Sequence, residues 1–387
     1  MTENRMAILA AAPAYGHLIP VIRLGMALRA NGCETKFVSY DDATTKFCER
    51  FGFKVVRLTK SVDLEGQVRQ LIGMLGEQRP RISVSDWSAD LWWSIRAKRP
   101  ACRMSVLRCE GFKGYTRRNP FSFNKFFFED RAFLDWNNQL ADKLGVPPVN
   151  DVHDLYDAEI IVVPSVPPLD PLPPSVSESY PNTKIIYTGP LLVNLGDPLP
   201  ERVCDWLASW RGKSVPIVLV TLGTAWGTEI YSAFADCFEE MNLPVIMIVP
   251  AEKERATLAR RNGPRFQVVG LTNLRELAER VDVVIHHGGH ATIQTVLLAG
   301  KPSIVLPSGE YDREDNACRL EDLSCGKFLG HDFFRHGIRA EKIEITIREV
   351  CNDPNVQRGV SAMSSVVRNY LDRDGVAEAV TLALELS

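Results

Sequence analysis

The chain has 387 residues, of which 45% are hydrophobic and 24% charged, and its formal net charge is −3. This length exceeds what one hydrophobic core usually organises, and the composition is that of a globular protein, which predicts two domains and excludes a mainly disordered or fibrous chain. The slightly acidic balance gives no long-range attraction for nucleic acid or anionic lipid, and no apolar run reaches the roughly 20 residues of a membrane span.

The nine cysteines are scattered along the chain and form no C-x-x-C pair. An odd number without paired spacing is typical of a reduced protein and not of a metal or redox centre. The N-terminus also lacks the basic and apolar regions of a secretory signal. We therefore expect a cytoplasmic protein.

Short apolar runs alternate with helical patterns in the first half of the chain. A strand at 6–12 is followed by a turn at 14–17 and an amphipathic helix from about 20 to 30. Further strands are predicted near 35–40, 54–58, 81–85, 103–107 and 159–163. This alternation is typical of a parallel sheet with helices on both faces, which predicts an α/β domain.

A proline-dense segment from Pro164 to Pro200 separates this series from a second one, and such a segment is neither a core helix nor a central strand. The second series has strands predicted near 216–222, 243–249, 266–269, 282–286 and 303–306. We expect a first domain at 1–190, a linker at 191–200 and a second domain at 201–387. The last helix, at 374–386, packs on one of the two domains, and the pattern leaves open which one.

A glycine-rich turn follows the predicted strand at 282–286 and leads into a helical stretch at 293–299. It reads His287-Gly288-Gly289-His290-Ala291-Thr292. Adjacent glycines let the backbone approach a ligand closely, and the free N–H groups of a helix start favour an anion, so a diphosphate fits this turn. The alternative is a strand-to-helix turn that binds nothing, and two glycines alone would favour it.

Two further motifs follow this turn, Ala299-Gly300-Lys301-Pro302 and Asp312-Arg313-Glu314-Asp315-Asn316-Ala317. The stretch from Asp282 to Gly326 resembles the donor-binding signature of the inverting GT-B glycosyltransferases, which include antibiotic, macrolide and UDP-sugar transferases. That signature runs roughly H-H-G-G-x-G-T-x-x-E, A-G-x-P, then D-Q-x-x-N-A. The resemblance implies two Rossmann-like domains that face each other across a cleft, with the nucleotide-sugar donor on the second.

The resemblance also assigns donor-binding residues. It implies that the diphosphate is held by His287 and by the N–H groups from Gly289 to Thr292, so that a helix end offsets the leaving charge without a metal ion or other cofactor. Thr221-Leu222-Gly223-Thr224 resembles a second turn of the family beside the phosphates. The implied donor-binding set is Gly223, Thr224, His287, Gly288, Gly289, His290, Ala291, Thr292, Asp312 and Arg313.

The chain departs from the family pattern at three positions. Thr295 stands where the family has a ribose-binding glutamate, Arg313 where it has a glutamine beside the donor sugar, and Leu271 lies where it has a base-stacking aromatic residue. Arg313 fits a carboxylate of the sugar or the phosphates, and a solvent-exposed role is equally open. Without the glutamate the demand for a 2′-hydroxyl is weaker, which would suit a deoxyribose nucleotide such as a dTDP-sugar.

Three histidines near the turn, His286, His287 and His290, also suggest a zinc site, because spacings of three and four place side chains on one helical face. No carboxylate or cysteine nearby in the sequence completes a ligand set. We therefore expect no metal.

In the first half, Gly16-His17-Leu18-Ile19-Pro20 follows the first strand and resembles the family's G-H-x-x-P turn, whose histidine removes the acceptor proton. A histidine suits proton abstraction near neutral pH, and inversion needs a base opposite the leaving group. His17 is therefore the predicted catalytic base, and the alternative is a histidine that only fills a helix start.

Asp86 ends the predicted strand at 81–85 and resembles the family's aspartate at the corresponding strand end. A carboxylate there would fix the tautomer of His17, and the alternative, equally open, is a helix N-cap. The stretch 117–128 combines five phenylalanines with three basic side chains, and three interpretations stay open: an acceptor loop, a membrane-surface patch or a core helix.

These residues predict an inverting glycosyltransferase that moves a sugar from a UDP- or dTDP-sugar to a hydroxyl or amine of a small-molecule, natural-product acceptor. The expected partners are these two substrates, with no nucleic acid and no integral membrane association, and a homodimer is left open. Two alternatives remain: a nucleotide-sugar 2-epimerase and a nucleotide-sugar-binding subunit without activity.

Overall fold

The structure is a computed structural model that describes residues 5–59, 64–86, 96–97, 100–118, 131–194, 196–223, 228–306, 309–330 and 339–387. The chain divides into two compact units. The first comprises Met1–Thr116, Lys125–Leu192 and Tyr370–Ser387, and the second comprises Arg117–Asn124 and Val193–Asn369. The segment expected to be a linker is thus shared, because its first two residues group with the first unit and the rest with the second.

A seven-stranded sheet of parallel strands forms the centre of the first unit, in the order β3-β2-β1-β4-β5-β6-β7. The strands are β1 Met6–Ala11, β2 Glu34–Ser39, β3 Lys54–Arg57, β4 Ile82–Asp86, β5 Cys102–Val106, β6 Ile160–Val163 and β7 Lys184–Tyr187. The chain order reverses between β1 and β4, which pair in parallel with Ala11 opposite Asp86. Ligands of such sheets bind outside the carboxyl ends of the strands at this reversal.

The helices of the first unit are α1 Tyr15–Ala30, α2 Asp42–Arg50, α3 Leu64–Gln78, α4 Arg131–Leu144, α5 Val176–Ser179 and α14 Gly375–Leu386. Apolar side chains of β1 and α3 make one part of the core, where Ile8 and Ala10 cluster with Leu71 and Leu75. Their burial follows from the alternation of the strand and the one-sided apolar stripe of the helix.

Helix α1 begins five residues before the predicted start, so the expected turn at 14–17 was wrong for its last three residues. The N–H groups of His17 and Leu18 both donate to the Ala14 carbonyl, which closes the first helical turn ahead of Pro20. Pro20 lies inside the helix and removes a single backbone hydrogen bond there. His17 consequently lies in the first turn of α1.

The last helix, α14, groups with the first unit although it ends the chain. Its Ala379, Val380 and Ala383 are buried, and a guanidinium nitrogen of Arg81 donates to the Ser387 carbonyl at 2.6 Å. Among the helices that the structure describes, none combines the length and the apolar character needed to cross a membrane.

The second unit contains a six-stranded parallel sheet in the order β10-β9-β8-β11-β12-β13. Its strands are β8 Val218–Thr221, β9 Val245–Ile248, β10 Phe266–Val269, β11 Val283–His286, β12 Ser303–Val305 and β13 Gly326–Phe328. The chain order reverses between β8 and β11, where Thr221 pairs with His286. A second ligand position is therefore defined at the carboxyl ends of these two strands.

The helices around this sheet are α6 Glu201–Trp210, α7 Thr228–Glu240, α8 Glu252–Leu258, α9 Leu274–Glu279, α10 His290–Leu298, α11 Tyr311–Asp322, α12 Ala340–Asn352 and α13 Pro354–Asp372. The sequence analysis had predicted no strand at the positions of β7 and β13. Both are short strands at sheet edges, where few residues need to be apolar.

Candidate active site

His17 and Asp86 lie together at the reversal point of the first sheet. Nδ1 of His17 is 3.2 Å from Oδ1 of Asp86. Helix α1 carries the histidine directly after β1, and β4, the neighbour of β1, ends at the aspartate. The two residues are 69 positions apart in the chain, so the parallel pairing of β1 with β4 brings them together.

The two side chains differ in exposure. Asp86 is 6% exposed, whereas the His17 side chain is 35% exposed. The main chain at Asp86 is fixed as well, because its carbonyl accepts a hydrogen bond from Ala12 N at 3.1 Å. A buried carboxylate thus contacts one ring nitrogen of a histidine that retains an accessible face. The helix that the alternative N-cap role requires begins in residues outside the described part of the chain.

Gly223 and His287 meet at the reversal point of the second sheet. Gly223 follows β8 with a φ of +70°, in the left-handed region that favours glycine. A Cβ atom placed on it would lie 2.6 Å from Cε1 of His287, and one on Gly289 would lie 2.6 Å from Nε2 of the same ring. The two glycines therefore make room for the imidazole between them.

His287 is 9% exposed, and its ring is uncharged at neutral pH. Burial lowers the pKa of His287 to about 4, and the positive charge of Arg313 lowers it further. A hydrogen bond to the Thr221 backbone and the charge of Asp312 act in the opposite direction. An anion at this position would meet a neutral imidazole and not an imidazolium.

The start of α10 offers backbone N–H groups beside this ring. Gly289 is the N-cap, with φ −64° and ψ 135°, and no side chain caps it. The first hydrogen bond within the helix runs from Ile293 N to the Gly289 carbonyl at 3.0 Å. The N–H groups before Ile293 have no intrahelical acceptor, and the helix dipole adds a partial positive charge to them. This geometry suits a phosphate group.

Three residues outside the predicted donor-binding set, His286, Asn316 and Arg319, form hydrogen bonds behind the turn. Gly288 N donates to Nδ1 of His286 at 3.1 Å, and Nδ2 of Asn316 donates to the Gly288 carbonyl at 3.0 Å. A guanidinium nitrogen of Arg319 donates to Oδ1 of Asn316 at 2.9 Å. Asn316 belongs to the quoted D-x-x-x-N-A motif, which was the one available signal.

The residues that depart from the family pattern are also placed. The Thr295 hydroxyl donates to the Ala291 carbonyl at 2.8 Å, which uses it within α10. Arg313, with Asp312, lies in the first turn of α11, and its main chain packs against Gly288. Leu271 is one of the exposed large hydrophobic residues.

Some expected site residues lie outside the described part of the chain, namely Thr224 and residues 119–128. Of the basic stretch that precedes them, Arg118 N donates to Oδ1 of Asp315 at 3.1 Å, and its guanidinium pairs with Asp322. The three interpretations of 117–128 therefore stay open.

The zinc alternative gains no support. Among the described residues, the one group of three potential metal ligands lies in the first unit, at Cys109, Glu110 and Asp170, and contains none of the three histidines.

Comparison with known protein families matches the second half of the chain. The family described as erythromycin biosynthesis protein CIII-like, C-terminal domain, covers residues 236–374. That range includes the turn from His287 to Thr292 and the helices α10 and α11.

Curated relatives are distant and partial. TDP-daunosamine transferase DnrS of Streptomyces peucetius is 28% identical over 50% of this chain and 44% of its own length. Glycosyltransferase GtfC of Amycolatopsis orientalis is 25% identical over 68% of this chain and 60% of its own length. The chain thus spans about half the length of the curated relatives it matches.

Solved structures match over the whole chain. Spinosyn forosaminyltransferase SpnP has a TM-score of 0.72 at 17% identity, covering 99% of this chain and 100% of its own. The calicheamicin glycosyltransferase CalG4 has a TM-score of 0.73 at 17% identity and covers 99% of both chains. The predicted α/β fold of two Rossmann-like domains is thereby confirmed. The chain has the GT-B fold, and its residues 236–374 match the EryCIII-like C-terminal domain.

Proposed function

We propose that the protein is an inverting glycosyltransferase that moves a sugar from a nucleoside-diphosphate sugar to a hydroxyl or amine of a small-molecule, natural-product acceptor. The observation that carries this proposal is the start of α10, where N–H groups without an intrahelical acceptor lie beside the buried ring of His287. A diphosphate is the ligand that uses both features.

At the donor site, the diphosphate would accept hydrogen bonds from the N–H groups at the start of α10. His287, neutral because of its lowered pKa, would add a neutral hydrogen bond without a net charge. When the bond between the anomeric carbon and the diphosphate breaks, negative charge grows on the leaving oxygen. The helix dipole stabilises that charge, so we propose that transfer requires no metal ion and no cofactor beyond the nucleotide sugar.

At the acceptor site, His17 would remove the proton from the attacking hydroxyl or amine. Its Nδ1 faces Asp86, so Nε2 is the nitrogen that takes the proton. The Asp86 carboxylate holds this tautomer and stabilises the imidazolium that forms. The new bond forms as the bond to the diphosphate breaks, and attack opposite the leaving group inverts the anomeric configuration.

The relatives support this substrate class. Their names include a TDP-daunosamine transferase and an aklavinone 7-beta-L-rhodosaminyltransferase of Streptomyces galilaeus, and one structural neighbour, LpCGTa, is in complex with UDP. Thymidine and uridine diphosphate sugars are therefore the donors to examine first. The nine free cysteines fit the cytoplasmic location that we include in the proposal.

The test combines UDP- and TDP-sugars with a panel of polyketide and peptide natural products in buffer with and without EDTA. Nucleoside diphosphate release and the mass of the product are measured together. We expect an acceptor heavier by one sugar residue, at a rate that EDTA leaves unchanged. A donor converted to its epimer without acceptor would identify an epimerase instead.

The variant His17→Ala separates an active enzyme from a binding subunit. We expect the loss of at least about 100-fold in kcat, because a general base contributes about that much or more, while the calorimetric affinity for UDP or TDP is retained. Turnover at the wild-type rate in His17→Ala would show that His17 is not the base. Binding without any turnover in the wild type would indicate an inactive subunit.

A further inference from the structure

Gly288 is held at both polar atoms of its backbone by buried side chains. Its N–H donates to His286 Nδ1 at 3.1 Å, and its carbonyl accepts from Asn316 Nδ2 at 3.0 Å. Its φ is +82°, and a Cβ atom there would lie 2.6 Å from the Arg313 carbonyl oxygen. Glycine is therefore required at this position, and its conformation is set by two side chains from different elements.

The orientation of both side chains is also fixed. His286 and Asn316 are fully buried, and Arg319 is 2% exposed. Because Arg319 donates to Oδ1 of Asn316, the amide of Asn316 must turn Nδ2 towards Gly288. Because His286 accepts at Nδ1, its neutral ring carries the proton at Nε2. Burial lowers the pKa of His286 to about 3, so the ring stays a neutral acceptor near pH 7.

Gly288 directly precedes Gly289, the N-cap of α10. The orientation of the peptide plane between Gly288 and Gly289 sets the direction in which the chain begins α10. It therefore also sets the direction of the first N–H groups of that helix. Neither His286 nor Asn316 is near the surface, so neither can reach a ligand in bulk water. Their influence on a ligand must pass through the Gly288 peptide.

We propose that His286 and Asn316 are positioning residues that fix the Gly288 peptide and thereby aim the N–H groups of α10 at the diphosphate of the donor. Arg319 supports Asn316 in this role. The inference rests on the proposed function and adds residues that the donor-binding set did not contain. We therefore expect that loss of either hydrogen bond to Gly288 weakens binding of the diphosphate and not of the nucleoside.

The experiment uses the full chain with UDP, TDP, uridine and thymidine as probes, measured by calorimetry and by ligand-observed NMR competition. Asn316→Asp keeps the shape and the contact with Arg319 but places an acceptor against the Gly288 carbonyl. His286→Leu removes the acceptor for Gly288 N, and His286→Asn restores one near the position of Nδ1. Leu320→Ala is the matched control, since Leu320 is fully buried in α11 and takes part in neither hydrogen bond.

We expect Asn316→Asp and His286→Leu to weaken binding of the preferred nucleoside diphosphate by about 10-fold, the effect of one lost hydrogen bond near a charged group. Nucleoside binding should stay within about 2-fold, and His286→Asn should recover much of the loss. Leu320→Ala should lower the melting temperature without changing this selectivity.

Equal losses for nucleoside and diphosphate, or unchanged diphosphate binding in Asn316→Asp, would overturn the inference. Should His286→Leu fail to fold, Asn316→Asp and His286→Asn still decide the question. A wild-type protein that binds neither UDP nor TDP would instead contradict the proposed function. The inference itself concerns only how the affinity for the nucleoside diphosphate differs between variant and wild type.

Discussion

Nδ1 of His17 lies 3.2 Å from Oδ1 of Asp86, at the carboxyl ends of two adjacent parallel strands. The aspartate is buried, and the histidine keeps a third of its side chain exposed. This is the arrangement that a histidine base requires, with one nitrogen oriented by a carboxylate and the other directed to a substrate.

Asp86→Asn is predicted to lower kcat by a factor of about 100 or more, because the amide favours the wrong tautomer of His17 and leaves the imidazolium without a counter-charge. The KM for the nucleotide sugar should change little, since the proposed donor site lies in the second unit. Steady-state kinetics with the donor varied at saturating acceptor measure both constants.

Ser85→Ala is the matched control for Asp86→Asn. Ser85 is the preceding residue of β4 and is also buried, and alternate residues of a strand point to opposite faces. This variant should retain most of kcat. A similar loss in both variants would indicate damage to the strand and not the removal of a partner for His17.

Gly223→Ala is predicted to weaken nucleoside diphosphate binding and to destabilise the protein. The added methyl group would lie 2.6 Å from Cε1 of His287, and the φ of +70° is unfavourable for alanine. We expect a loss of roughly 1–3 kcal/mol in the free energy of unfolding, typical of overpacking and of strain at such a backbone position. Urea unfolding and calorimetry with UDP and TDP measure the two effects.

Gly212→Ala separates backbone strain from contact with His287. Gly212 has a φ of +81°, but a Cβ atom there meets nothing within 4 Å. It should lose stability from the strained φ alone and keep its affinity for the diphosphate. Equal losses of affinity in both variants would show that the His287 ring is not the relevant neighbour.

The two buried histidines predict how stability depends on pH. The pKa of His287 is about 4 and that of His286 about 3 in the folded protein, whereas both are near 6.5 when unfolded. Below about pH 6.5 the unfolded chain therefore binds protons that the folded chain does not, and the free energy of unfolding falls as pH decreases towards 4. Above pH 6.5 the two rings add no slope.

Replacement of one of these rings should flatten that dependence. In His287→Asn, the slope of unfolding free energy against pH between 4.5 and 6 should decrease by up to about 1.4 kcal/mol per pH unit, the effect of one proton. Urea denaturation at several pH values measures the slope in both proteins. A slope identical to that of the wild type would mean that His287 is protonated in the folded protein.

Arg313→Gln is predicted to change the choice of donor. The charge of Arg313 acts on the His287 ring, so the guanidinium lies near enough to the diphosphate turn to influence an anionic donor group. Removal of a charge-assisted contact should weaken donor affinity by about 10-fold. Affinities for UDP, UDP-glucose and UDP-glucuronate, titrated in parallel, distinguish a contact with the phosphates from a contact with a sugar carboxylate. Unchanged affinities for all three would show that Arg313 does not contact the donor.

Much of the fold was accessible from the sequence because parallel strands buried on both faces read as short continuous apolar runs. The strand before His287 and the strand before His17 were both located in this way. The first helix was placed too late because proline was treated as a start, whereas the Ala14 carbonyl already accepts two N–H groups ahead of it. The edge strand Lys184–Tyr187 was missed because it is only four residues long and lies within the proline-dense segment.

Residues of the site could be predicted where a family motif marked them, as for His287 and His17, or where they end a predicted strand, as for Asp86. The turn from His287 to Thr292 is one continuous stretch, and a family pattern described it. The contact of Gly288 with Asn316 connects the turn to a distant helix, which periodicity does not report, and Arg319 contacts Asn316 within that helix. The neutral state of His287 depends on burial between two glycines, which follows only from the fold.

A crystal structure of the protein with the better-binding of UDP and TDP tests the central claim most directly. We expect the diphosphate oxygens within hydrogen-bonding distance of the N–H groups at the start of α10, beside the His287 ring. A diphosphate bound elsewhere on the chain, with this helix start in contact with solvent alone, would contradict it.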